Sequence, residues 1–80
     1  MKPTIGKVVL YNITQTDATA MADMPNCNVQ EVLPATIVAI WNDSEDYPLV
    51  NLSVTLDGEG TMWKTSISLG EGQGQFQWIE

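Results

Sequence analysis

The stretch Val50-Asn51-Leu52-Ser53-Val54-Thr55-Leu56, followed by Asp57-Gly58-Glu59-Gly60 and then by Thr61 to Leu69, reads as two antiparallel strands joined by a tight turn. In the first arm Val50, Leu52, Val54 and Leu56 alternate with Asn51, Ser53 and Thr55, the period of two that lines one face of a pleated strand with apolar side chains. The glycines between the arms suit a turn that needs positive φ. In the second arm Trp63, Thr65, Ile67 and Leu69 alternate with Met62, Lys64, Ser66 and Ser68. That pattern favours Trp63 as core with Ile67 and Leu69, its edge showing at the mouth of the fold, while core and binding surface both stay open for Trp63 and Trp78. It places Lys64 on the opposite, solvated face.

Upstream, Pro34 opens Ala35-Thr36-Ile37-Val38-Ala39-Ile40-Trp41, the longest apolar run, which suits a strand covered on both faces. Asn42 to Pro48 is a charged turn. Lys7 to Ile13, dense in β-branched and aromatic residues, follows Pro3 and Gly6 and is the first strand. Gly70 to Gly74 breaks the chain before a short last strand, Gln75 to Ile79, in which Phe76 and Trp78 share a face. Thr14 to Val32 keeps no period and is expected as a loop, with at most a helical turn around Asp17 to Asp23 that Pro25 and Asn26 end. Five short strands with a long first loop predict one all-β domain over residues 1–80, an SH3-like small β-barrel. A sandwich would need about seven strands and roughly 100 residues.

Composition sets limits on this domain. With 44% apolar and 16% charged residues the chain is globular rather than disordered. At 8.8 kDa it should bury only about 63% of its unfolded surface, so its stability margin is narrow. A lone Cys27 and the absence of His remove disulfide and zinc staples, leaving oligomerisation. No stretch approaches the ~20 apolar residues of a membrane span, and the amino-terminal residues lack the apolar core of a signal peptide, so the expected compartment is cytoplasmic.

Chemistry is bounded mostly by what is missing. Without His or Arg there is little for general acid–base work or phosphoryl transfer, and Cys27 has no basic neighbour to ionise it, so no enzyme is expected. Asp43, Glu45 and Asp46, even with Asp57 and Glu59, do not match a calcium loop and read as solvated turns; neither metal nor cofactor is expected. The net charge of −7, with only Lys2, Lys7 and Lys64 as cations, disfavours a long nucleic acid as partner. A small anion held by a few lysines, hydroxyls and backbone N–H groups remains compatible with it. The aromatics Tyr11, Trp41, Tyr47, Trp63, Phe76 and Trp78 offer a platform on which a base could stack. Strands one and two carry apolar residues on both faces: Val9, Tyr11 and Ile13 against Val8 and Leu10, then Ile37 and Trp41 against Val38 and Ile40. Such an excess marks a contact between subunits, or a surface over which the Thr14 to Val32 loop folds back.

Four segments carry a resemblance: Pro3 to Tyr11, Leu33 to Trp41, Val50 to Gly58, and the close Gly74-Gln75-Phe76-Gln77-Trp78-Ile79-Glu80. Together, and in this order, they resemble a widespread group of small bacteriophage and prophage proteins that begin with an Ile-Gly-Arg-x-Val-His-Tyr type motif and end Gly-Thr-Trp-His-Trp-Pro-Glu. This chain has Lys7 and Leu10 for the Arg and the first His, and Phe76-Gln77-Trp78-Ile79 for Trp-His-Trp-Pro, so no role of those His residues carries over. The resemblance implies a non-catalytic protein of the host-cell cytoplasm that sequesters a host immune signalling nucleotide, such as a cyclic dinucleotide, and so inhibits antiphage defence. The expected ligand residues are Lys7, Tyr11, Trp63, Lys64 and Trp78, in a homo-oligomer. The alternatives are an interaction module for a host or phage protein, and a minor virion component.

Overall fold

The alternating segments become strands in a computed structural model, which describes residues 1–79. In chain order the elements are β1 (Val8–Asn12), α1 (Gln15–Ala22), β2 (Cys27–Asn28), β3 (Val32–Asn42), β4 (Leu49–Thr55), β5 (Asp57–Gly58), β6 (Thr61–Ser68) and β7 (Phe76–Trp78). Five of them form one antiparallel sheet in the order β6-β4-β3-β1-β7, and β2 pairs with β5 in a two-stranded ribbon. The last strand thus returns to the first, as the small-barrel reading expects. The barrel is not closed by a ladder, however. Among the described residues its edges meet through an isolated parallel bridge between Leu69 and Phe76, where Gly70 N–H donates to the Phe76 carbonyl at 3.0 Å. In this strand order β6 and β7 run parallel, and the short connection between them, with β7 only three residues long, leaves room for a single bridge.

The inward face of each strand supplies the core. Val9 and Tyr11 of β1, Leu33, Ala35 and Ile37 of β3, Val50, Leu52 and Val54 of β4, Ile67 of β6 and Phe76 of β7 pack into one cluster. Pairing explains the shared face, since residues directly opposite in a ladder point the same way: Val9 faces Ala35 and Trp78, and Ile37 faces Leu52.

The segment expected as a loop contains α1, which starts two residues before the expected turn. Thr14 caps it: Asp17 N–H donates to Thr14 Oγ1 at 3.0 Å and Thr14 N–H donates back to Asp17 Oδ2 at 3.3 Å, a reciprocal capping box. The helix covers the inner side of the sheet by burying Met21 in the core and Asp17 beside it. It does not fold over the apolar excess of β1 and β3. Val8 and Val38 stay 47% and 44% exposed, so β3 is not covered on both faces either. Among the described residues no helix is long and apolar enough to cross a membrane.

β6 departs from its own alternation. Leu52, Ser53 and Val54 face Lys64, Trp63 and Met62 in turn, but Val50 faces Ile67, so Thr65 and Ser66 together oppose Asn51. Such a bulge inserts one residue and moves every side chain beyond it to the other face. Met62 and Lys64 therefore share the inner side with Ile67, and Trp63 stands on the outer face, 67% exposed. This corrects both placements drawn from the pattern: Trp63 is not core, and Lys64 is not on a solvated face beside the serines. Ser66 takes φ 58°, the left-handed region that makes the bulge possible.

Candidate functional site

The expected ligand residues fall into three places. On the inner side, Tyr11 Oη donates to Asp17 Oδ2 at 2.7 Å and Lys64 Nζ donates to Asp17 Oδ1 at 2.7 Å, with the ammonium 5.9 Å from the Tyr11 ring centroid. Burial alone would raise the Asp17 carboxyl, but the bonds from Lys64, Tyr11 and Thr14 outweigh it and hold the group below its ordinary range. Burial, with the bond to Asp17 and its charge, raises the Tyr11 phenol well above its ordinary value. This trio ties α1 to the sheet. Tyr11 is 1% exposed, so no base can stack on it, and the charge of Lys64 is matched by Asp17. At the β7 edge Lys7 lies 5.9 Å over the Trp78 ring, which meets Phe76 edge-to-face at 5.1 Å. Trp63 is on the other side of the sheet. The five residues do not converge on one ligand.

The outer face presents a different set. Trp63 pairs with Ser53, Ser53 with Thr36, and Thr36 with Val8, so these four side chains cross the sheet in one row. Beside that row stands Trp41, 63% exposed, whose indole N–H donates to Asn51 Oδ1 at 2.8 Å. Asn51 lies two residues from Ser53 on β4, about 7 Å along the strand. Its side-chain oxygen also accepts from Thr65 Oγ1 at 3.0 Å and from Ser66 N–H at 2.9 Å. One buried acceptor thus fixes both the bulge that exposes Trp63 and the orientation of Trp41.

Compared with known protein families, curated proteins and solved structures, the chain has no match.

Trp41 belongs to the wider group of aromatics expected as a platform but not to the five expected ligand residues, and Asn51 belongs to neither, although a signal for it existed. Asn51 interrupts an apolar strand, and a buried amide requires partners close by. The clefts of the domain give little support to an anionic ligand. A groove of about 430 Å³ between the start of α1 and the Gly70 to Gly74 turn is lined by Asn12, Gln15, Gln30, Glu31, Glu71 and Gln73 and by no lysine. A phosphate there would meet two carboxylates. A smaller dish of about 230 Å³ lies against Trp78, Gln77 and Glu71.

Proposed function

We propose that the protein is a non-catalytic interaction module that docks a protein partner on the outer face of its sheet. The observation that carries this reading is the pair Trp41 and Trp63, 63% and 67% exposed on the strands either side of β4, one bonded to Asn51 and the other paired with Ser53. Single exposed apolar residues are ordinary, but several on one rigid face, here joined by Val8 and Val38, are typical of an interface. Tryptophan is among the residues that contribute most to binding energy when a partner covers them. The Trp41 ring is already oriented by its bond to Asn51, which lowers the entropy lost on docking. A homo-oligomer through β1 and β3 would use Val8 and Val38 of the same face, and light scattering measures its mass. The resemblance to small phage and prophage proteins supports seeking the partner in an infected cell or a virion. In the test, immobilised wild-type protein and the Trp41→Ala/Trp63→Ala double variant are exposed to infected-cell extract. A protein retained by the wild type and lost by the variant supports the reading; equal retention, with equal circular dichroism, refutes it.

Sequestration of a host immune nucleotide is the second reading, and Lys7 over Trp78 favours it. This is the one expected lysine–aromatic pair with both members partly open to solvent. A base would stack on Trp78 with its phosphate at Lys7. Thermal shift assays with a panel of cyclic nucleotides test it, and the absence of any shift removes it.

A further inference from the structure

We infer that the segment docked on the outer sheet face is basic and extended; this rests on the docking reading above. The first ground is charge. The strands of the five-stranded sheet carry one cation, Lys64, and it lies on the inner side against Asp17. The turn that leaves Trp41 carries Asp43, Glu45 and Asp46, all exposed, and Asp57 and Glu59 stand at the other end of β4. The amino terminus approaches Glu45 at 4.0 Å and Asn28 donates to Asp57 at 3.3 Å. Asp43, Asp46 and Glu59 have no side-chain partner among the described residues. An anionic segment would be repelled from this face and a cationic one drawn to it.

The second ground is the character of the rings. The Trp41 N–H is taken inward by Asn51, so what Trp41 shows a ligand is carbon and π density. The negative face of an indole attracts an ammonium or guanidinium, and tryptophan does so best of the aromatics. The third ground is geometry. β4 has seven residues and spans about 23 Å at ~3.3 Å per residue, with acidic turns at its two ends and the two Trp rings between. An extended segment of similar length can set Lys or Arg side chains against rings and carboxylates at once. A second copy of this chain is disfavoured on the same face, because a two-fold contact would bring the acidic turns of two chains, each of net charge −7, together.

The test is a random decapeptide library displayed on yeast and panned against the folded full chain and against Trp63→Ala. The expected result is enrichment of Lys- and Arg-rich peptides whose binding falls about tenfold or more in Trp63→Ala. The Asp43→Asn/Glu45→Gln/Asp46→Asn triple variant, altered only at exposed positions, should weaken the same peptides by a similar factor, as should raising the salt. Enriched peptides without Lys or Arg that still require Trp63 would overturn the basic-segment inference and leave the docking reading standing. No Trp63-dependent peptide at all would overturn both. Self-association abolished by Trp63→Ala would put a second copy on the face and likewise overturn the inference.

Discussion

Asp17→Asn tests whether α1 is held to the sheet by charge. The wild-type carboxylate accepts from Lys64 on one oxygen, and from Tyr11 Oη and Thr14 N–H on the other. Its side chain is 5% exposed, and that of Lys64 is 27% exposed. An asparagine has one acceptor oxygen, so its NH₂ group faces an obligate donor in either orientation: the ammonium, or the Thr14 N–H with the phenol turned to accept. Removing one partner of a fully buried ion pair costs about 3–5 kcal/mol. Because Lys64 can still reach water, about 2–3 kcal/mol is expected here. That is a large share of the roughly 4–12 kcal/mol available to a chain of this length. Urea unfolding followed by circular dichroism at neutral pH measures it. The cycle completed by Lys64→Met should show a coupling of about 1–2 kcal/mol. A cost below ~0.5 kcal/mol, or additivity within about 0.3 kcal/mol, would refute the argument. The pH dependence is an independent check. Since folding lowers the Asp17 pKa, its contribution is complete at neutral pH and is lost as the pH falls through the folded-state value. Asp17→Asn should therefore flatten the acid limb of the stability profile.

Three further outcomes follow from the same contacts. Folding raises the Tyr11 pKa, so its contribution is complete below about pH 10 and declines above it by up to ~1.4 kcal/mol per pH unit. Tyr11→Phe should remove that alkaline slope, measured by thermal melts at stepped pH. Trp63→Ser should change stability by less than about 1 kcal/mol, whereas Phe76→Ala should cost ~3–5 kcal/mol; a Trp63 cost in the second range would mean that the ring is core. Asn51→Leu removes the acceptor of three donors and should cost about 1–3 kcal/mol, chiefly by orphaning Ser66 N–H. In the NMR spectrum the Trp41 indole proton should shift and exchange faster; an unchanged indole signal would mean that Asn51 does not hold the ring.

The strands were legible because a period of two and glycine turns are local signals. Val50 to Leu56 keeps the same faces in the sheet that its alternation predicts, and Gly58 and Gly60 adopt the positive φ that the turn requires. β2 and β5, two residues each, are too short to carry a pattern; they arise from tertiary approach, with Gly58 so near Asn26 that a Cβ there would clash with its carbonyl. α1 escapes a reading by periodicity because its buried residues are only Asp17 and Met21. The Thr14-x-x-Asp17 spacing is nevertheless the mark of a helix start, and Asp17 serves both the cap and Lys64.

The bulge was the feature that local pattern could not supply, and it governs both faces of the sheet. A strand without the extra residue would turn Trp63 inward, carry Lys64 outward and leave the Asp17 carboxylate buried without its cation. Trp63 exposure and the α1 latch are therefore one structural choice, held in place by a left-handed Ser66 and by three donors on one Asn51 oxygen. A left-handed non-glycine residue is strained by about 1–3 kcal/mol, and such strain tends to persist where a site needs it. The alternation of β6 breaks at Thr65 and Ser66, two residues past Trp63, and that break decides which face Trp63 and Lys64 take.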